Sequence, residues 1–129
     1  MALPRWPYLF SYFIATWLVG VWAVCQTSYA RTLCEQVGFP IPANEHPSPY
    51  FYLFANKEGV MGLVFLALQF FGEWKAVGIM MAVMCVNGTG DAYLSTSVGT
   101  MDWVEALKAH MGVTIVAGWA AWRILEENW

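Results

Sequence analysis

The chain has 129 residues, of which 59% are hydrophobic, 17% aromatic and only 12% charged, with a formal net charge of −3. Soluble domains carry about 25% charged residues; half that fraction, with long apolar runs, excludes an ordinary soluble domain and places the chain in a membrane. The length allows one domain, and the lack of any basic cluster excludes nucleic acid as a partner.

Met1 to Pro7 is a short polar-aromatic lead with Pro4 and Pro7. The apolar run behind it predicts a first membrane helix over residues 8–29, which Pro7 can open because its missing N–H costs nothing there. One Arg before that run and no small-residue cleavage site read as a retained helix, not a cleaved signal peptide. Residues 31–49 hold four of the six prolines, so they form a loop and not a continuous helix, with a short helical piece over 32–37 stopped by Gly38. Loops of this length are often lids or binding loops. A second helix is expected over 51–71. A third follows over 75–94, after a tight connection. A Ser/Thr/Gly turn over 95–100 then leads to Asp102, which with Glu105 reads as a capping box opening a fourth helix over 102–125. The expected fold is all-α: an integral-membrane, up-down four-helix bundle.

Flanking features support that expectation. Trp6, Tyr8, Tyr50, Tyr52, Trp74, Tyr93, Trp103, Trp122 and Trp129 lie near helix ends, as an interfacial aromatic belt requires. Arg5, Lys75 and Arg123 share one end, against Arg31 in the long loop, which places both termini in the cytoplasm and the loop toward a lumen or the exterior. Cys25, Cys34 and Cys85 lack metal-site spacing. Cys25 and Cys34 fall on one side and can pair; alternatively all three are small hydrophobes.

The second helix carries Glu58, and an ionisable group inside a membrane segment costs about 2.5–3.5 kcal/mol on insertion scales, which marks a functional site by default. Glu58 is seven residues in from Phe51, Asp91 about four from the end of the third helix, and His110 eight in from Asp102. At a rise of 1.5 Å per residue these three lie roughly 6–12 Å below the same membrane face. Their helical faces agree. Glu58, Gly62, Phe65 and Gln69 form one stripe; Asn87 and Asp91 another; Asp102, Ala106, His110, Thr114 and Gly118 a third. Two carboxylates and an imidazole in a low-dielectric pocket form a general acid–base set. In this reading Glu58, Asp91 and His110 are catalytic, while Lys57, Asn87, Thr114 and Gln69 bind substrate or hold the local charge. Such a site needs no metal and no cofactor, and no cofactor motif is present. Against it stand a local Lys57–Glu58 pair, a Gly-rich break at Asn87-Gly88-Thr89-Gly90 that caps or kinks the third helix, and His110 as an interhelical hydrogen-bonding residue.

Gly38-Phe39-Pro40, Lys57-Glu58-xxx-Gly62, Asp91 and His110 together resemble a small four-helix membrane family, known mostly as a domain of unknown function in fungi and actinomycetes, over residues 37–113. That family tends to show Arg-Asp-xxx-Gly where this chain has Lys-Glu-xxx-Gly, so the carboxylate here reaches one methylene further. The resemblance extends to small membrane cyclases and hydrolases of fungal secondary metabolism. It implies a cofactor-independent enzyme at the endoplasmic reticulum acting on a lipophilic polyketide or terpenoid, by epoxide hydrolysis, cyclisation or isomerisation. Membrane lipids are its other partner. The alternative is a non-catalytic small membrane scaffold or lipid-binding subunit, in which the polar cluster is glue between helices.

Overall fold

The computed structural model of the chain describes residues 5–129; the first four residues of the lead, Pro4 included, lie outside them. Helix α1 is Trp6–Cys25, with Pro7 in its first turn. A short helix α2, Ala30–Gln36, follows. Helix α3 is Pro49–Phe70, opened by Ser48, whose hydroxyl accepts from the Phe51 amide, and by Pro49 at the first helical position. Helix α4 is Trp74–Ser97. The last part of the chain is more divided than the single helix expected there: α5, Trp103–Ala106, runs into a π-helical turn, Leu107–Met111, and on into α6, Gly112–Asn128. α1, α3 and α4 are each long and apolar enough to cross a membrane.

Local chemistry explains the boundaries. The Asp102 carboxylate accepts from the Glu105 amide at 2.8 Å and the Glu105 carboxylate accepts from the Asp102 amide at 3.2 Å, so the capping box is formed at both contacts. Gly38 and Gly72 adopt φ of 88° and 74°, the left-handed conformation that ends helices without a Cβ penalty. After α2, the Phe39 amide reaches back to the Cys34 carbonyl and the Gly38 amide to that of Glu35. After α3, Glu73 and Gly72 do the same to Leu68 and Gln69. The Pro-rich loop is pinned: the Arg31 guanidinium donates to the carbonyls of Ile41, Pro42 and Glu45. The Gly-rich stretch 87–90 does not break α4, which continues through it to Ser97.

The long helices pair antiparallel. Gly59 lies against Trp22, and Gly62 against Ala15 and Val19, so α3 runs opposite to α1 at close range. Gly78 meets Leu125 and Gly88 meets Thr114, so α6 runs opposite to α4. A Cβ at Gly59 would come within 2.5 Å of the Trp22 ring. Small residues at such contacts let helices approach without lipid between them, where no hydrophobic drive between helices exists. The two pairs join through a core of Ile14, Ala15 and Leu18 on α1, Phe65 on α3, Val77 and Met81 on α4, and Ala117, Ala120, Ala121 and Ile124 on α6. This core occupies the end of the bundle where α1 begins and α6 ends. Cys25 and Cys34 are both buried and free, as is the half-buried Cys85, and no pair forms among the described residues. Burial pushes the Cys34 thiol up from its ordinary range, which leaves it in the unreactive form.

Candidate functional site

Toward the long-loop end the two helix pairs separate, and a cleft of about 320 Å³ opens between them. Glu58 from α3, Asp91 and Asn87 from α4, and His110 and Thr114 from the last helical segment all line it. Its remaining walls are apolar, from Phe13, Trp17 and Val21 on α1, Phe54 on α3, Met84 on α4 and Val113 on α6. Ligand sites commonly combine a volume of this order, apolar walls and a few convergent polar groups.

Each polar group is held differently. Glu58 is 5% exposed, and its Oε1 is buried without a hydrogen-bond partner. The nearest charge is Lys57 Nζ at 3.7 Å, beyond hydrogen-bond reach; that side chain is 55% exposed and its ammonium lies over the Phe54 ring. Lys57 therefore stands at the rim and is not part of the wall. Asp91 Oδ2 accepts from Asn87 Nδ2 at 3.1 Å, one helical turn away, which fixes the direction of its carboxylate. Thr114 commits its hydroxyl proton to the His110 carbonyl at 2.7 Å, so toward the cleft it offers acceptor lone pairs only.

His110 sits within the π turn, an irregularity that recurs at functional positions in helices. Its Nε2 lies 3.1 Å from Ser95 Oγ, and Ser95 Oγ donates to the Val37 carbonyl at 3.0 Å. A hydroxyl has one proton to give. With that proton on Val37, the imidazole must be the donor in the other contact. The neutral ring then carries its proton on Nε2, and Nδ1 remains as its acceptor. Ser95 is fully buried and was not among the residues expected here. Its signal was available: Asn87, Asp91 and Ser95 follow i, i+4, i+8 on one face of α4. The π turn and the α1 wall carried no comparable pattern.

Gln69, like Lys57, does not line the cleft. It shares the inward face of α3 with Glu58, as the stripe predicted, since Glu58, Gly62, Phe65 and Gln69 are all buried. Eleven residues of helix, however, set it about 16 Å further along the bundle. There its Nε2 donates to Ser11 Oγ at 3.0 Å inside the closed core, and it does not line the cleft. A shared face says nothing of depth, which is why the stripe misplaced it.

A domain-of-unknown-function family, DUF4267, matches residues 14–123. The chain belongs to the DUF4267 family. No curated protein and no solved structure matches it. The DUF4267 match takes in Gly38, Glu58, Asp91, Ser95 and His110 and extends well beyond the 37–113 segment that carried the resemblance. It supports a small uncharacterised family and carries no link to cyclases or hydrolases.

Proposed function

We propose that the protein is an integral-membrane enzyme, crossing the bilayer four times, that performs acid–base chemistry on a lipophilic small molecule without a cofactor. The observation that carries this reading is the cleft: Glu58, Asp91 and His110, from three separate helical segments, line one space with apolar walls, and Glu58 Oε1 is buried without a hydrogen-bond partner, its nearest charge the Lys57 ammonium at 3.7 Å. A buried, unsatisfied acceptor costs roughly 1–3 kcal/mol, and this one belongs to a residue that lines the cleft, which supports a ligand that supplies the missing contact.

Epoxide hydrolysis illustrates what the groups can do. Glu58, as a carboxylic acid, gives its proton to the epoxide oxygen as one ring C–O bond breaks. Asp91, oriented by Asn87, takes a proton from the water whose oxygen bonds to that carbon. The product is a diol, and His110 Nδ1 returns the proton from Asp91 to Glu58. Cyclisation replaces the water with a hydroxyl of the substrate itself, and isomerisation needs only the paired proton transfers. The substrate class, a polyketide or terpenoid, and the endoplasmic reticulum come from the resemblance. The end carrying Arg5, Lys75 and Arg123 faces the cytoplasm, in keeping with the excess of basic residues there.

The decisive experiment is heterologous expression with metabolite profiling, comparing wild type with Glu58→Gln and Asp91→Asn. General acid–base groups contribute about 10²- to 10⁴-fold. A loss of that order, in proteins that still insert and elute as wild type, is expected for each variant; full turnover in both overturns the reading. One observation favours a second reading. Asn87–Asp91 and Ser95–His110 are already bonded to one another, as polar glue in a non-catalytic scaffold or lipid-binding subunit would be. In that case the same substitutions lower thermal stability or partner recovery and no turnover exists to lose.

A further inference from the structure

A second cavity, an apolar groove of about 350 Å³, runs along α1 beside the cleft. Phe13, Trp17, Val21 and Leu33 line both spaces; the Phe13 and Trp17 rings stack at a centroid distance of 6.2 Å and form the ridge between them. Thr16 and Gly20 belong to the groove alone. Gly20 has open space above it, with no atom within 4 Å of where a Cβ would stand, so a large side chain at this position would project into the groove. Thr16 turns its hydroxyl to the carbonyls of Tyr12 and Phe13, which leaves only its methyl for the groove. Trp17 is 58% exposed on a helix long and apolar enough to cross a membrane, so this side of α1 meets lipid.

We infer that the ligand of the cleft is a single-tailed amphiphile, with a hydroxyl-bearing head at Glu58 and an apolar tail lying over the Phe13–Trp17 ridge in the Gly20 groove. The inference rests on the cleft being a ligand site, as proposed above. The head class follows from the unpartnered Glu58 Oε1, which requires a hydrogen-bond donor. The tail class follows from a groove that offers apolar contact and no free polar group. Such a ligand reaches the cleft from the lipid side, along α1, and does not need to cross the pinned Pro-rich loop.

Two probes test it, on the full chain in phosphatidylcholine nanodiscs: a long-chain alkyl alcohol with a photoactivatable diazirine in mid-tail, and a short-chain alcohol with the same group. The expected result is labelling of residues 13–24 by the long probe above that of the equally lipid-exposed Ile115–Trp119 face. Gly20→Phe should reduce this to the Ile115–Trp119 background, and Thr16→Phe provides a second blocking variant if the first does not fold. Glu58→Leu, which removes the acceptor that a Gln amide would keep, should reduce it as well, because the tail is held there by the head. The short probe should label the cleft in wild type and in Gly20→Phe alike. Long-probe labelling that ignores both Glu58→Leu and the blocking variants overturns the inference and identifies ordinary lipid in the groove. Short-probe labelling that depends on Glu58, without any effect of the groove variants, overturns the tail site while the cleft stands. If neither probe labels the cleft, the cleft reading falls and the inference with it.

Discussion

The two ends of the bundle are built from the same helices and differ in what fills the space between the two helix pairs. At the closed end, large and small apolar side chains interlock: Phe65, Met81 and Val77 meet Ala117, Ala120, Ala121 and Ile124. Its buried polar groups are joined to each other except at Gln69 Oε1, which has no hydrogen-bond partner: Gln69 Nε2 donates to Ser11 and Ser11 to the Tyr8 carbonyl. Beyond them, Arg5 and Tyr8 bind the Glu127 carboxylate at 2.8 and 2.9 Å, and Asn128 donates to the Tyr8 hydroxyl. At the open end the inward positions are Glu58, Asn87, Asp91 and His110, and a cleft takes the place of a core. Within each pair the helices stay close along their length, held by Gly59 and Gly62 on one side and Gly78 and Gly88 on the other. The opening therefore lies only between pairs. The contrast separates packing from opening: one end holds the helices together, and the other holds the cleft on which the proposed function rests.

That division can be broken experimentally. The largest effect is expected at the open end, where, under the proposed function, Glu58→Gln should lower turnover by the roughly 10²- to 10⁴-fold given above and leave the closed core intact. Next is Phe65→Ala at the closed end. Phe→Ala in a packed core costs about 3–5 kcal/mol, and the lower bound applies here because the separated helices already sit in lipid. Thermal denaturation in detergent should show a clear drop in midpoint with the cleft groups untouched; an unchanged midpoint would remove the closed end as the stabilising half. Gln69→Leu is the sharper comparison with Glu58. It deletes one interhelical hydrogen bond, which averages about 0.6 kcal/mol in membranes, together with an unpartnered buried oxygen. Stability should therefore change little and turnover not at all, although Gln69 and Glu58 share a helix face. A loss of turnover comparable to that of Glu58→Gln would return Gln69 to the site.

The smallest effect concerns pH. Hydrogen bonds from Tyr8 and Arg5 hold the Glu127 carboxyl below its ordinary value of 4.5. A carboxyl lowered by folding contributes stability above its unfolded pKa and loses it as pH falls through the folded pKa. The closed end should weaken below about pH 4.5, seen as a falling melting midpoint, and Glu127→Gln should flatten that slope. Because the group is exposed, the effect is small and screened by salt; an unchanged slope in the variant would show that other carboxylates set it.

Much of this was legible in the chain, for identifiable reasons. Apolar runs long enough to cross a bilayer, Pro7 at a helix start, the Asp102–Glu105 box and Gly38 at a helix end act through neighbours within a few residues, so spacing reveals them; Pro49, counted with the loop, instead opens α3. The period of 3.6 placed Glu58, Asp91 and His110 on inward stripes because depth and face follow from counting along a helix. The same counting gave Gln69 the right face, but not its partner Ser11, which lies on another helix.

What the sequence by itself determined is an all-α chain for a membrane, with its costly polar groups at one level of the bundle. Burying a charge in lipid is expensive wherever it occurs, and that cost is written in composition and periodicity. Only the tertiary structure decided which helices pair, that a π turn carries His110, that Ser95 and the Val37 carbonyl set its tautomer, and that Gly20 leaves a groove beside the cleft. These depend on contacts between residues far apart in the chain, and neither spacing nor hydropathy records which surface a helix will meet.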